Sequence, residues 1–381
     1  MAQQVSAGAV HIGIRPTYSC SACRLPQRRT FSAAGEEFRD AGRGSVVHKT
    51  TTLHPGRLLA RHTRGMNRML ELRNHLRTSS ELALQGVDPT QLQRQCRAGT
   101  LVRVRHGIYL GAEVWHNLDR WDRYRVLVLA VNLSAQRPPL FSHESAALIH
   151  SIPILGVPRV VHTQQEGRRS DRSRKDIRRH FTDDYEPAKV RLDGLRATSL
   201  IYTLLALATE TTFPSAVVAL DDSLRRNRTD PVQLRTAAQC LGTAAANHRF
   251  GMVLDFGDPA SESPGESASR ALMALFGIQP PELQKTFRDV QGFVAQTDFY
   301  WRERGLIGEF DGLIKYQKPE YMGGRSASQV VVDEKIREDR LRALGFTVVR
   351  WVWEDVNKPQ RLLSLLVSKG LIAGSPLRWK R

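Results

Sequence analysis

Cysteine is scarce: Cys20, Cys23, Cys96 and Cys240 are the four in a chain of 381 residues. They are too few and too scattered for a disulfide framework, and a reducing cytoplasm suits them. Cys20 and Cys23 have half of a zinc-site spacing, but no second such pair or close histidine pair follows. His48, His54 and His62 are irregularly placed, so no metal is assigned there. No apolar run approaches the length of about 18 residues that a membrane span needs. No basic amphipathic helix marks a membrane surface, and no apolar leader core marks a secretory signal. Acidic residues are also short, 38 against 56 basic ones, leaving a formal charge of +18 and a pI near 10.3. That field attracts polyanions, and most of the basic residues are arginines, whose planar fork suits phosphate. Double-stranded nucleic acid is the expected partner.

At 42.9 kDa the chain is long enough for several cores, and an α/β multidomain protein is expected. Residues 1–65 are rich in Gly, Ser, Thr and Arg without apolar periodicity, and read as a disordered or mis-annotated leader. Met66 and Met69 stand just before the first patterned segment as alternative starts of translation. Residues 69–112 then carry two capped helices and two short strands. Thr78-Ser-Ser-Glu81 is a capping box that opens a helix ending at Gly86, and Asp88-Pro89 opens a second that stops at Gly99. The second helix turns Leu92 and Cys96 inward, leaving Thr90, Gln91, Arg94 and Arg97 for the outer surface. Strands at 101–104 and 107–110 complete a winged helix-turn-helix. There the outer helix residues would read DNA, and Arg103 and Arg105 of the wing would hold phosphates.

Residues 115–250 read as an α/β middle domain. Helices are expected at 121–133, from Ser142, at 198–208 and at 213–225, with a strand at 158–163. Residues 168–179 are the most basic run, read as a solvated loop that would also clamp phosphates. His143 and Glu144, at a helix start, are read as capping and packing residues. Residues 255–265, rich in Pro, Gly and Ser, read as a linker to a last domain at 260–370.

That domain centres on a hairpin, residues 293–316, whose apolar runs flank the turn Arg302-Glu303-Arg304-Gly305. If Arg302 pairs with Gly305, Asp298 falls opposite Glu309 with Cβ atoms about 4.5–5.5 Å apart. Asp311, two residues on, returns to the same face. Three acids gathered this closely repel, and hard oxygen ligands suit Mg²⁺ or Mn²⁺. Trp301, Trp351 and Trp353 read as core, and Arg340 and Arg342 as helix-surface partners of acids.

Asp298 and the run Glu309-Phe310-Asp311-Gly312 resemble the restriction-endonuclease-like, PD-(D/E)XK superfamily, in a branch related to very-short-patch-repair endonucleases and common in actinobacteria. The charged stretch from Asp333 to Arg342 and the apolar one from Phe346 to Trp351 resemble that family's next helix and strand. The resemblance implies a metal-dependent nuclease. Asp298 and Glu309 would ligate Mg²⁺, Asp311 or Glu266 would complete the site, and a lysine would steady the developing charge. The family's lysine position holds Asp311, so Lys315 and Lys335 are the two candidates. The segment Gly99 to Tyr109 resembles the N-terminal domain of AbiEi-type antitoxins of type IV toxin–antitoxin systems, a DNA-binding, autoregulatory module. That resemblance implies the alternative: a transcriptional regulator with a cognate toxin as partner, whose nuclease-like domain has lost catalysis.

Overall fold

Local signals build the first unit. After a helix at 68–75 (α1), Thr78 accepts from the Glu81 amide while Glu81 accepts from the Thr78 amide, so α2 (Ser79–Leu84) starts at a complete capping box. Asp88 caps α3 (Pro89–Arg97), with Pro89 in its first turn, and Gly99 takes φ +73° just beyond its end. The chain returns as β2 (Leu101–Arg105) and β3 (Ile108–Gly111), and β1 (Arg77–Thr78) pairs with β3 to give a small sheet in the order β1-β3-β2. The computed structural model describes residues 68–165, 175–181, 187–312 and 327–379. The cysteine pair at 20 and 23, the leader and residues 168–174 of the basic run lie outside them.

This unit does not stand alone. Leu72 and Leu76 share one apolar cluster with Ile108, Leu110 and the buried side of α5 (Arg120–Ser134). Arg68 also reaches Asp122 of α5 through Nε at 2.8 Å. Behind α5 lies a five-stranded mixed sheet in the order β6-β5-β4-β8-β7, built from β4 (Leu140–Phe141), β5 (Val161–Gln165), β6 (Ile177–Phe181), β7 (Lys189–Leu192) and β8 (Leu195–Thr198). Val161 and Ile177 point to α5, so the alternate residues of those strands face the other side. There the first residue of α6 (His143–Ile149) and the last of α7 (Leu200–Glu210) meet His162 and His180. A second core joins α7, α8 (Phe213–Arg225), α9 (Pro231–Ala238) and α10 (Ala244–Phe256). The helix expected at 213–225 has those bounds. The strand expected at 158–163 starts later, because residues before Val161 form bends.

The last sheet has the order β12-β11-β10-β9, from β9 (Glu282–Asp289), β10 (Gly292–Trp301), β11 (Leu306–Asp311) and β12 (Thr347–Val352). β11 is antiparallel to β10 and parallel to β12, with the crossover through α12 (Ala327–Ala343). One face packs on α11 (Pro264–Leu275), where Phe299, Trp301, Leu306, Phe310 and Trp351 are buried. The opposite face carries Tyr300 and Ile307 against Leu341 of α12. The described residues thus form a mixed α/β protein with three sheets. Among the described residues no helix is long and apolar enough to cross a membrane.

The stretch at 255–265, expected as a linker, is pinned. Asp258 donates its amide to buried Asp221 of α8 at 2.8 Å, and Gly257 packs against Leu220 so closely that a Cβ would clash. The polar composition that reads as a linker instead supplies turn and cap groups between α10 and α11.

Candidate nucleic-acid interface and acidic site

On α3, Leu92 is buried and Cys96 half-buried, while Thr90, Arg94 and Arg97 are exposed. Their i, i+4, i+7 spacing puts the three on one stripe. Gln91 is half-buried and lends its amide to the Asp88 cap. The stripe therefore ends in two guanidiniums with no described residue packed over them, and bidentate contact with phosphate or a base edge is open to both. In the wing, Arg103 is exposed and its Nη2 lies 2.5 Å from Nδ1 of His106 at the hairpin tip. Arg105 is placed differently: its guanidinium is committed to Asp176, which opens β6. It joins the wing to the middle sheet, a role invisible in sequence because the two residues are 71 apart.

At the acidic site, the ladder between β10 and β11 ends at the pair Phe299 and Gly308. The next step of that register would oppose Asp298 and Glu309, as the turn predicts. There the Asp298 carboxylate leaves the ladder pattern and takes the Phe310 amide through Oδ2 at 2.8 Å. Glu266, in the first turn of α11, is buried beside it. Its Oε2 accepts from the Glu262 amide at 2.8 Å and from Gln284 Nε2 at 3.1 Å. Burial first, and then the Asp298 charge, push the Glu266 carboxyl up to about 7.

Glu309 has other company. It is 8% exposed, and its Oε2 lies 2.9 Å from Arg337 Nη2 of α12 and 3.2 Å from Arg350 Nε of β12. Arg350 continues to Glu334 at 3.1 Å and Glu338 at 3.1 Å. Sequence reasoning missed both arginines. Arg350 stands beside Glu309 only through the parallel pairing of β11 with β12, and Arg337 only through the crossover helix. Asp311 ends β11 half-buried, Lys335 is exposed on α12, and Lys315 lies outside the described residues. Arg340 holds Asp289 through two bonds at 2.6 and 2.7 Å, and Arg342 holds Glu338 at 2.5 Å. Trp301 and Trp351 are buried and Trp353 partly so, all in the core. A divalent cation of the Mg²⁺ kind would relieve the repulsion that Asp298 exerts on Glu266, but the described residues bring no third acid within ligand reach of the two. Glu309 has no need of one, since two guanidiniums already balance its charge. The four acids thus divide into Asp298 and Glu266, which repel each other, Glu309, which is compensated, and Asp311 at the strand end.

Residues 68–110 match a family described as "Transcriptional regulator, AbiEi antitoxin". Two uncharacterized proteins of Mycobacterium tuberculosis, from strains CDC 1551 / Oshkosh and ATCC 25618 / H37Rv, are each 28% identical over 186 residues. The matched region is 48% of this chain, and it spans 64% of the length of those curated relatives. A crystal structure of another Mycobacterium tuberculosis protein aligns over 60% of this chain and 89% of its own, with 17% identity and a TM-score of 0.33.

Proposed function

We propose that the chain is a DNA-binding transcriptional regulator of the AbiEi antitoxin kind, whose reading element is α3. The observation that carries this is the coincidence of the family match at 68–110 with an exposed stripe of Thr90, Arg94 and Arg97 on a capped helix. In the winged-helix docking mode, α3 enters the major groove and the β2–β3 hairpin lies along the backbone, so Arg103 would touch phosphate. The charge of +18 favours the encounter at any sequence. A cognate toxin is the expected protein partner of such a regulator. The test is fluorescence anisotropy of the full chain on duplex DNA from upstream of its own gene and on a shuffled duplex. Preference for the upstream site, lost in Arg94→Ala/Arg97→Ala, is the expected result; equal binding to both duplexes would sink the reading.

A second reading, a PD-(D/E)XK-type endonuclease, is favoured by one observation, the buried Glu266 carboxyl raised by burial and by the Asp298 charge. Mg²⁺ held there would polarise a phosphodiester and activate water. Asp298 would stay fixed by the Phe310 amide, and Glu266 would exchange its proton on loading. Incubation with plasmid and linear duplex in Mg²⁺, Mn²⁺ or EDTA, with Asp298→Ala beside the wild type, separates the readings. Metal-dependent nicking lost in the variant makes the chain an enzyme; binding without cutting leaves it a regulator.

A further inference from the structure

Three buried histidines from distant parts of the middle domain meet under α6 and α7. His143 opens α6, His162 lies on β5 and His180 on β6, and one ring nitrogen of each lies within 4.8 Å of the others. His162 and His180 share the face of the parallel pair away from α5, two register steps apart, since His162 pairs with Arg178 and His180 with Gln164. Their rings are 5.1 Å apart at the centroids, and His143 stacks on His180 at 3.6 Å.

The orientation of each ring is set from outside the cluster. Ser142 Oγ lies 3.0 Å from His143 Nδ1, which leaves Nε2 facing inward. Glu210, at the end of α7, places Oε2 3.2 Å from His180 Nδ1, which leaves the His180 Nε2 facing His162 Nδ1 at 2.9 Å. A carboxylate or hydroxyl on the outer nitrogen is how proteins fix imidazoles for a metal.

A chain of neutral, hydrogen-bonded imidazoles accounts for the His162–His180 contact but not for the rest. Among the described residues, Glu144 Oε2 is buried with no hydrogen-bond partner, 3.5 Å from His162 Nδ1, and buried His143 Nε2 faces Glu210 Oε1 at 3.2 Å. Leaving a buried polar atom unmet costs about 1–3 kcal/mol. His143 is also held at φ +49°, a conformation that costs a non-glycine residue about 1–3 kcal/mol. Glu144 and Glu210 add negative charge, and the exposed Arg178 approaches Glu210 at 3.7 Å.

We infer that His143, His162 and His180 form a site for a transition-metal dication of the Zn²⁺ class, held through His143 Nε2, His162 Nδ1 and His180 Nε2, with Glu210 at its solvent side. Three imidazoles select Zn²⁺ over Mg²⁺. The Glu210 side chain is 41% exposed, which gives the ion an entry path and leaves a fourth position within reach of carboxylate or water.

The test uses the full chain with Cys20→Ser/Cys23→Ser, so that this thiol pair takes no part. After loading with Zn²⁺ and gel filtration in excess Mg²⁺, atomic emission should find one zinc per chain. His143→Gln and His180→Gln, with unchanged circular dichroism, should each lose it. A folded protein that retains no zinc, or zinc that survives both substitutions, overturns the site. If the histidine variants fail to fold, Co²⁺ loading of the Cys20→Ser/Cys23→Ser chain decides. Intense tetrahedral-type absorption without a thiolate charge-transfer band supports the site; the spectrum of aqueous Co²⁺ overturns it.

Discussion

Arg270 of α11 donates to Asp221 of α8 at 2.8 Å, and Asp221 has no solvent exposure. The same guanidinium gives a second bond, at 2.7 Å, to the Phe256 carbonyl and stacks over the Phe256 ring at 4.2 Å. One arginine thus ties the helix beneath the last sheet to two helices of the middle domain.

Removing that tie should be expensive. Arg270→Met leaves a buried carboxylate without its cation, and a loss of about 3–5 kcal/mol is expected in urea denaturation. The double variant Arg270→Met/Asp221→Leu should recover much of it. A loss under about 1 kcal/mol in the single variant would mean that water or another group replaces the pair.

Substitutions on the two arginine classes should separate. Arg94→Ala and Arg97→Ala should leave the melting temperature unchanged and each lower the slope of log affinity against log salt by about 1, the signature of a phosphate contact. Arg105→Ala should lower the melting temperature instead, since it strips Asp176 of its partner. A melting temperature unaffected by Arg105→Ala would return that residue to the DNA-facing set.

Glu266 predicts a pH dependence. Burial and the Asp298 charge push its folded carboxyl up to about 7, well above the usual carboxylate range, so the folded state holds the proton more tightly. The stabilisation is complete below about 4.5, is lost as pH rises through about 7, and amounts to at most about 3 kcal/mol. Glu266→Gln should remove that slope, so wild type loses stability relative to the variant between about pH 5 and about pH 8. Parallel pH curves would place the proton elsewhere.

Gly265 in the first turn of α11 sits where a Cβ would overlap the Phe310 ring. Gly265→Ala should therefore cost about 1–3 kcal/mol, against the small gain that alanine brings to an unobstructed helix. Adding Phe310→Leu should relieve part of the cost. If Gly265→Ala stabilises the protein, α11 lies further from β11 than described here.

Elements with local causes were legible in the sequence. The capping box at Thr78 and Glu81, the Asp88 cap with Pro89, and the turn that fixes the register of β10 on β11 each lie within a few residues of what they determine. The candidate sites were less so. Arg350 meets Glu309 across a parallel pair, and the three histidines meet through β5, β6 and the start of α6, contacts that no short-range periodicity encodes. His143 read as a capping residue because its neighbours in sequence suggest a helix start, which it is, while its ring partners come from strands. The linker at 255–265 was misjudged for a related reason: its polar groups serve Asp221, 37 residues upstream of Asp258.

The parallel pairing of β11 with β12 has a consequence for the order of synthesis. Glu309 waits for Arg350, and α12 must be made before the two can meet. The winged helix, by contrast, closes over residues near in sequence, so it should be competent early while the last sheet is still incomplete on the ribosome. A nascent chain would then hold a finished α3 while Glu309 still lacks its guanidiniums, and any quality control acting on the C-terminal third would act on a chain whose proposed reading helix is already built.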